Sequence, residues 1–309
     1  MSANTTKPIV RKPPLTWKQK GIRYGLLLAG AYLGVIIVLM ALENFLLFRP
    51  MKAAEEWLQP PNRRVQDVEL RLEDGTPIHG WWCPQEGARG AVLYCHGNAG
   101  NLSHRAGAIA VWQQLMNQSV FIFDYPGYGK SGGKPSEAGC YAAGQAAYDW
   151  LTTVGGVPAE QILLHGGSLG GAVAVNLAVR IPHRALVLVK AFTSIPDMAQ
   201  RQYPWLPAKW LVRNKFDNLG KIGQCPKPIF IAHGDQDGLV PYSHAQLLFQ
   251  AAKAPKQLLT LKGQDHNDPL EPDFFSALQE FLDRVEAEAS RGKQVAIPLA
   301  EREGYSPAN

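Results

Sequence analysis

Between Ala91 and Gly263 the chain carries short apolar runs that lack period-2 alternation: "AVLYCHG", "SVFIFDYPG", "QILLHGG", "ALVLVKAF", "PIFIAHG" and "QLLTLKG". A strand that is apolar on both sides must be covered on both faces, so each run demands helices above and below it. The intervening stretches supply them. Arg105 to Met116, Pro135 to Val154, Leu169 to Arg180, Tyr242 to Ala252 and Pro272 to Ala289 have helical spacing. Repeated β-α units require a mostly parallel sheet with right-handed crossovers. Upstream, "VQDVELRLEDGTPIHGWWCP" does alternate and turns at Asp74-Gly75, which predicts an antiparallel hairpin leading into the sheet. The expected class is α/β, a mostly parallel central sheet with helices on both faces, over residues 65–289.

Length and composition agree with one large core: 309 residues, 46% hydrophobic and 18% charged. The net charge of +5 resides in the N-terminal arm, residues 1–23, where Lys7, Arg11, Lys12, Lys18, Lys20 and Arg23 meet no acid. The remaining chain is close to neutral, which argues against a nucleic-acid partner. Tyr24 to Leu42 then has no charged residue. As a helix it spans roughly 28 Å, near the hydrocarbon thickness of a bilayer. A transmembrane segment is expected over 24–48, with a polar, proline-containing linker over 49–64. The basic arm predicts a cytoplasmic N-terminus and the body of the chain on the opposite, periplasmic or extracytoplasmic, side. A cleaved signal peptide fits less well, because the apolar run is long and no A-x-A site follows. The four cysteines match no zinc spacing, and no pairing is assigned.

"ILLHGGSLGGAV" places Ser168 between a strand and a helix, inside G-x-S-x-G. That context lifts the hydroxyl to the carboxyl edge of the sheet. It also leaves the backbone N–H of Leu169 at a helix start, facing developing negative charge. A serine nucleophile needs a base, and the base an orienting acid. Of eight histidines, His96, His165 and His233 lie in or at the ends of strand runs, and His79, His104, His183 and His244 lie in the hairpin, helix starts or connections. His266 alone sits in a loop after the last strand, "KGQDHND", on the serine's edge of a parallel sheet. The acid should lie between serine and histidine in the chain. "AHGDQDGLVP" offers Asp235 and Asp237. Asp237 lies further into the loop, whereas Asp235 can cap the turn. Asp197 is a more distant third, and Asp265 and Asp268 read as solvated loop residues. The second oxyanion donor is expected from the turn "HGNAGN", at Asn98 or Ala99. "DYPGYGKSGGKPSE" lacks phosphate-loop spacing and reads as structural. Residues 193–224, rich in proline and bulky aromatics, predict a small cap-like excursion. The tail, 290–309, has no periodic core face and is expected to be disordered.

These stretches resemble the α/β-hydrolase superfamily, and more narrowly its BEM46-like membrane-anchored branch. "HGNAGN", "DYPGYGKSGGKPSE", "GGSLGGAVA", "AFTSIPDMA", "HGDQDGLVP" and "GQDHND" carry the likeness in order across about residues 65 to 285. One departure is "VKAFTS", where relatives often have a proline before the Phe. The resemblance implies a serine hydrolase of esters or thioesters. It has Ser168 as nucleophile, Asp237 as acid, His266 as base, Asn98 and Leu169 as oxyanion donors, and no metal or organic cofactor. An acyltransferase or peptidase could use the same groups. A non-catalytic anchored binding protein would be expected to lack one of them.

Overall fold

The computed structural model describes residues 15–295. They fall into two compact units divided between Glu43 and Asn44. The first contains one helix, α1 (Trp17–Ala41), which is long and apolar enough to cross a membrane. It begins seven residues before the expected start at Tyr24. Thr16 caps it, accepting from Gln19 N–H, while the Gln19 side chain returns to Thr16 N–H. This reciprocal cap satisfies two orphan donors, so the polar turn through Lys18 and Lys20 is helical too. Hydropathy marks the apolar run, not the helix that contains it.

In the second unit an eight-stranded sheet is built from β1 (Gln66–Arg71), β2 (Pro77–Cys83), β3 (Ala91–Cys95), β4 (Ser119–Phe123), β5 (Ile162–Gly167), β6 (Ala185–Val189), β7 (Ile229–Gly234) and β8 (Lys256–Leu261). Their spatial order is β8-β7-β6-β5-β3-β4-β2-β1. The strands from β3 to β8 pair in parallel, and the β1–β2 hairpin adds an antiparallel edge through β2 and β4. The hairpin turn is the expected one: Gly75 takes φ 81° and the Asp74 carboxylate accepts from Thr76 N–H.

Successive strand residues point to opposite faces, and both faces are dry. Leu93, Phe121, Leu164, Leu186 and Ile231 pack on one side with helices α3 (Glu137–Thr153), α4 (Leu169–Ala178) and α8 (Tyr242–Ala251). Val92, Ile122, Leu163, Val187 and Phe230 pack on the other with α2 (Ala106–Met116) and α9 (Pro272–Val295). This two-sided burial is why the strand runs do not alternate. Between β6 and β7 the excursion carries three short helices, α5 (Ile195–Gln202), α6 (Ala208–Leu211) and α7 (Leu219–Ile222). It is fastened to the core, since the Glu137 carboxylate accepts from Lys215 N–H and Phe216 N–H.

Two expectations need correction. Residues 49–64 are not a free linker. Arg49-Pro50 pairs in parallel with Ala99-Gly100, and Trp57 packs edge-on against Trp81. The closing helix continues to Val295, so the segment expected to be disordered from residue 290 begins as helix. Residues 296–309 and 1–14 lie outside the described residues.

The strand–helix crossing at Gly170 leaves no room for a side chain, because a Cβ there would collide with Cys95 O and His96 O. Gly107, on the exposed start of α2, has nothing within 4 Å. Gly170→Ala is therefore expected to lower stability by about 3 kcal/mol or more, and Gly107→Ala to raise it by about 0.5 kcal/mol. Chemical denaturation of the detergent-solubilised chain checks both.

Candidate active site

Ser168 is the single residue joining β5 to α4, with φ 50° and ψ −118°. A non-glycine residue at positive φ costs roughly 1–3 kcal/mol and persists only where its surroundings impose it. Here they do. Ser168 N–H donates to Val189 O at 3.0 Å, and Ser168 C=O accepts from Gly171 N–H at 3.0 Å. Gly166 and Gly170 are required by close approach: a Cβ on Gly166 would strike the Gly170 and Gly171 backbone. The turn thus presents Oγ at the carboxyl edge of the sheet, where it remains partly exposed.

Three side chains distant in the chain meet at this edge. His266 Nε2 lies 3.1 Å from Ser168 Oγ, and His266 Nδ1 lies 2.8 Å from Asp237 Oδ2. The carboxylate is buried while the imidazole keeps a small exposure. With Nδ1–H donating to Asp237, Nε2 is left unprotonated toward the hydroxyl. Burial alone would raise the Asp237 pKa. Hydrogen bonds from His233, His266 and Val240 N–H outweigh it and hold the carboxyl well below the usual carboxylate range. Leu239 N–H also donates to Oδ1, at 3.0 Å. His233 Nε2 stands 3.3 Å from Oδ2 and 2.8 Å from Val240 O. His233, at the end of its strand run, therefore braces the Asp237 carboxylate.

The other aspartates have different partners. Asp235 accepts from Gly263 N–H and pairs with Lys262. Asp197 accepts from Thr193 and Ser194 hydroxyls and pairs with Lys209. Asp265 and Asp268 are exposed, yet they shape the loop. Asp265 accepts from Gly238 N–H, and Asp268 accepts from Asp265 N–H. Among the remaining histidines, His165 is buried against Tyr94 and Trp112, and burial pushes its pKa down to about 3.

The loop after β3 runs against the elbow, since a Cβ on Gly97 would lie 3.7 Å from Ser168 Cβ. His96 Nδ1 donates to Gly97 O at 2.7 Å. Because the peptide is planar and trans, the N–H of Asn98 points away from that carbonyl. Neither Asn98 N–H nor Leu169 N–H donates to a protein acceptor among the described residues. The Asn98 side chain is held by Leu47 O, Arg49 N–H and the Tyr128 hydroxyl. Tyr125, from the same "DYPGYG" loop, donates to His96 O. The loop read as structural is thus a brace for the turn beside the serine.

One residue on this edge had no functional reading in the sequence. Lys190 follows β6, is 3% exposed, and has φ 51°. Its Nζ donates to the backbone carbonyls of Asp265 and Asp268. The only signal for it was a lysine closing an otherwise unbroken apolar run. The four cysteines are free and buried, and among the described residues no group of His, Cys, Asp and Glu could hold a metal.

The parallel sheet, the strained serine turn and the loops converging on it define the α/β-hydrolase class. A family model for the alpha/beta hydrolase fold matches residues 90–212. The chain is 37% identical over 238 residues to the uncharacterized protein Rv2307c of Mycobacterium tuberculosis, covering 76% of this chain and 84% of that protein. It is 32% identical over 236 residues to protein bem46 of Schizosaccharomyces pombe, covering 72% and 77%. It is 32% identical over 201 residues to alpha/beta hydrolase domain-containing protein 17B of Xenopus laevis, covering 65% and 68%. The esterase Pf2001 of Pyrococcus furiosus superposes with a TM-score of 0.63 at 23% identity, over 76% of this chain and 98% of that one. The chain belongs to the α/β-hydrolase family.

Two outcomes are expected. Ser168→Gly, which accepts positive φ without strain, should be about 1 kcal/mol more stable than Ser168→Ala in thermal or chemical denaturation. Asp237 has a depressed folded pKa, so its stabilisation is complete above the ordinary carboxylate value and is lost as pH falls below it. The stability gap between wild type and Asp237→Asn should therefore be widest above about pH 4 and narrow on acidification. Denaturant titrations across that range measure it.

Proposed function

We propose that this chain is a membrane-anchored serine hydrolase of carboxylic esters or thioesters. The observation that carries the reading is the unbroken series of contacts from Ser168 Oγ through His266 to Asp237, at 3.1 and 2.8 Å. Ser168 Oγ attacks the substrate carbonyl carbon as His266 Nε2 takes its proton. The carbonyl oxygen becomes an oxyanion that accepts from Asn98 and Leu169 N–H groups. Each such donor is worth roughly 3 kcal/mol of transition-state stabilisation in enzymes of this kind. Collapse breaks the bond to the leaving alcohol or thiol, which receives the proton from His266. Water then gives a proton to His266 Nε2 and adds to the acyl-enzyme. Release of the carboxylic acid returns the proton to Ser168. Asp237 stabilises the imidazolium and holds its tautomer throughout.

The likeness to an esterase of known structure supports ester chemistry. The apolar helix α1 supports the anchor, and Lys18, Lys20 and Arg23 near its start favour a cytoplasmic N-terminus with the body on the other side. Tethering favours lipid-like or acylated substrates by proximity. Ser168→Ala should abolish both p-nitrophenyl ester turnover and fluorophosphonate labelling while the chain stays folded. Wild-type activity in that variant would exclude the mechanism. Protease digestion of sealed vesicles should cleave the body only from the non-cytoplasmic side.

A further inference from the structure

We propose that Lys190 is a positioning residue for the base of this site: its buried ammonium fixes the backbone of the loop that carries His266. The inference rests on the serine-hydrolase reading and goes beyond it, because the Lys190 ammonium bonds to backbone carbonyls and to neither the Ser168 hydroxyl nor the His266 ring.

The two-residue stretch Val189-Lys190 is bonded to Ser168, to the strand that leads to Asp237 and to the loop that carries His266. Val189 O accepts from Ser168 N–H at 3.0 Å. Lys190 N–H donates to Ala232 O at 2.9 Å, in the strand that leads to Asp237. Lys190 Nζ donates to Asp265 O at 2.7 Å and to Asp268 O at 2.8 Å. Those carbonyls bracket His266 along the chain, one residue before it and two after. Fixing both fixes the backbone between them.

An ammonium withdrawn from water is costly unless its donors are satisfied. Lys190 is 3% exposed and sits at φ 51°, a conformation rare for a long side chain. The position therefore bears both a desolvated charge and backbone strain. A purely apolar contact at a strand end would need neither. Burial draws its pKa down, opposed by Asp268, Asp237 and Asp265, so the charge itself has carboxylates around it. The chemical need is clear: His266 Nε2 must stay within hydrogen-bond reach of Oγ, and a misplacement of about 1 Å can cost on the order of 10²-fold in rate. Asp268 to Asp265 N–H shapes the loop locally, and Asp265 to Gly238 N–H joins it to the loop that carries Asp237. Lys190 ties it to the sheet.

The test uses the full chain in detergent with p-nitrophenyl butyrate and a fluorophosphonate probe. Lys190→Met, close in length but unable to donate, should lower kcat by about 10- to 100-fold with KM changed less than about threefold. Labelling should be slower by a similar factor yet still reach the wild-type endpoint. Lys190→Ala should be partly restored by added propylammonium, with no gain for wild type or Ser168→Ala. Unchanged labelling and turnover in a folded Lys190→Met variant would overturn the inference. So would a loss that propylammonium does not relieve, which marks Lys190 as merely structural. If Lys190→Met does not fold, the Lys190→Ala and propylammonium comparison decides alone. Failure of wild type to react with the probe would instead sink the serine-hydrolase reading.

Discussion

Two backbones meet without side chains between them at Gly166 and Gly170, and the geometry of the site descends from that contact. Because β5 and α4 approach so closely, the one residue joining them must turn at positive φ. The strain at Ser168 is sustained by bonds into the core, through Val189 O on one side and Gly171 N–H on the other. A residue so placed cannot withdraw its hydroxyl into the sheet. The parallel arrangement does the rest. Every strand from β3 to β8 ends on the same edge, so loops far apart in the chain open onto one small region. Asp237 and His266 come together there because their strands, β7 and β8, are neighbours.

Much of this was legible before any coordinates. Strand runs buried on both faces announce themselves by failing to alternate, and the helices between them by spacing. Ser168, Asp237 and His266 could be singled out by the G-x-S-x-G turn between strand and helix, by the loops after the last two strands, and by their order along the chain. What escaped notice shares a physical cause. Lys190 and the segment at residues 44–58 act largely through main-chain carbonyls and N–H groups. Every residue carries those groups, so no side-chain pattern reports them. His233 escaped for a related reason. A histidine at a strand end looks the same whether it fills space or braces a carboxylate four residues on. The early start of α1 was missed because its first turn is stabilised by a polar cap, which hydropathy does not weigh.

Charge around the site is arranged in layers. Asp237 accepts from Leu239 N–H and Val240 N–H on one oxygen and faces two imidazoles with the other. Its negative charge is thereby fixed at neutral pH and directed at His266. Beyond it, Lys190 brings a positive charge to backbone oxygens and not to a reacting atom. This separation lets a cation support the loop without taking the hydrogen-bonding place of the imidazole. The turn beside the serine is kept rigid by a different set, with His96 on Gly97 O and Tyr128 on Asn98. The His266 loop and the turn are thus held by different networks.

The stretch immediately after the division at Glu43 and Asn44 is woven into the turn beside the serine. Leu47 O and Arg49 N–H clasp the Asn98 side chain, and Met51 O and Glu56 O hold Asn101. Removing the apolar helix to obtain a water-soluble enzyme is therefore safe only if the cut falls ahead of residue 44. A shortened protein starting at residue 65, just ahead of β1, would lose the clasp and also Phe48 and Trp57, which pack on the two sides of the core. Its turn beside the serine would be slack where rigidity matters most, over a core missing part of its packing.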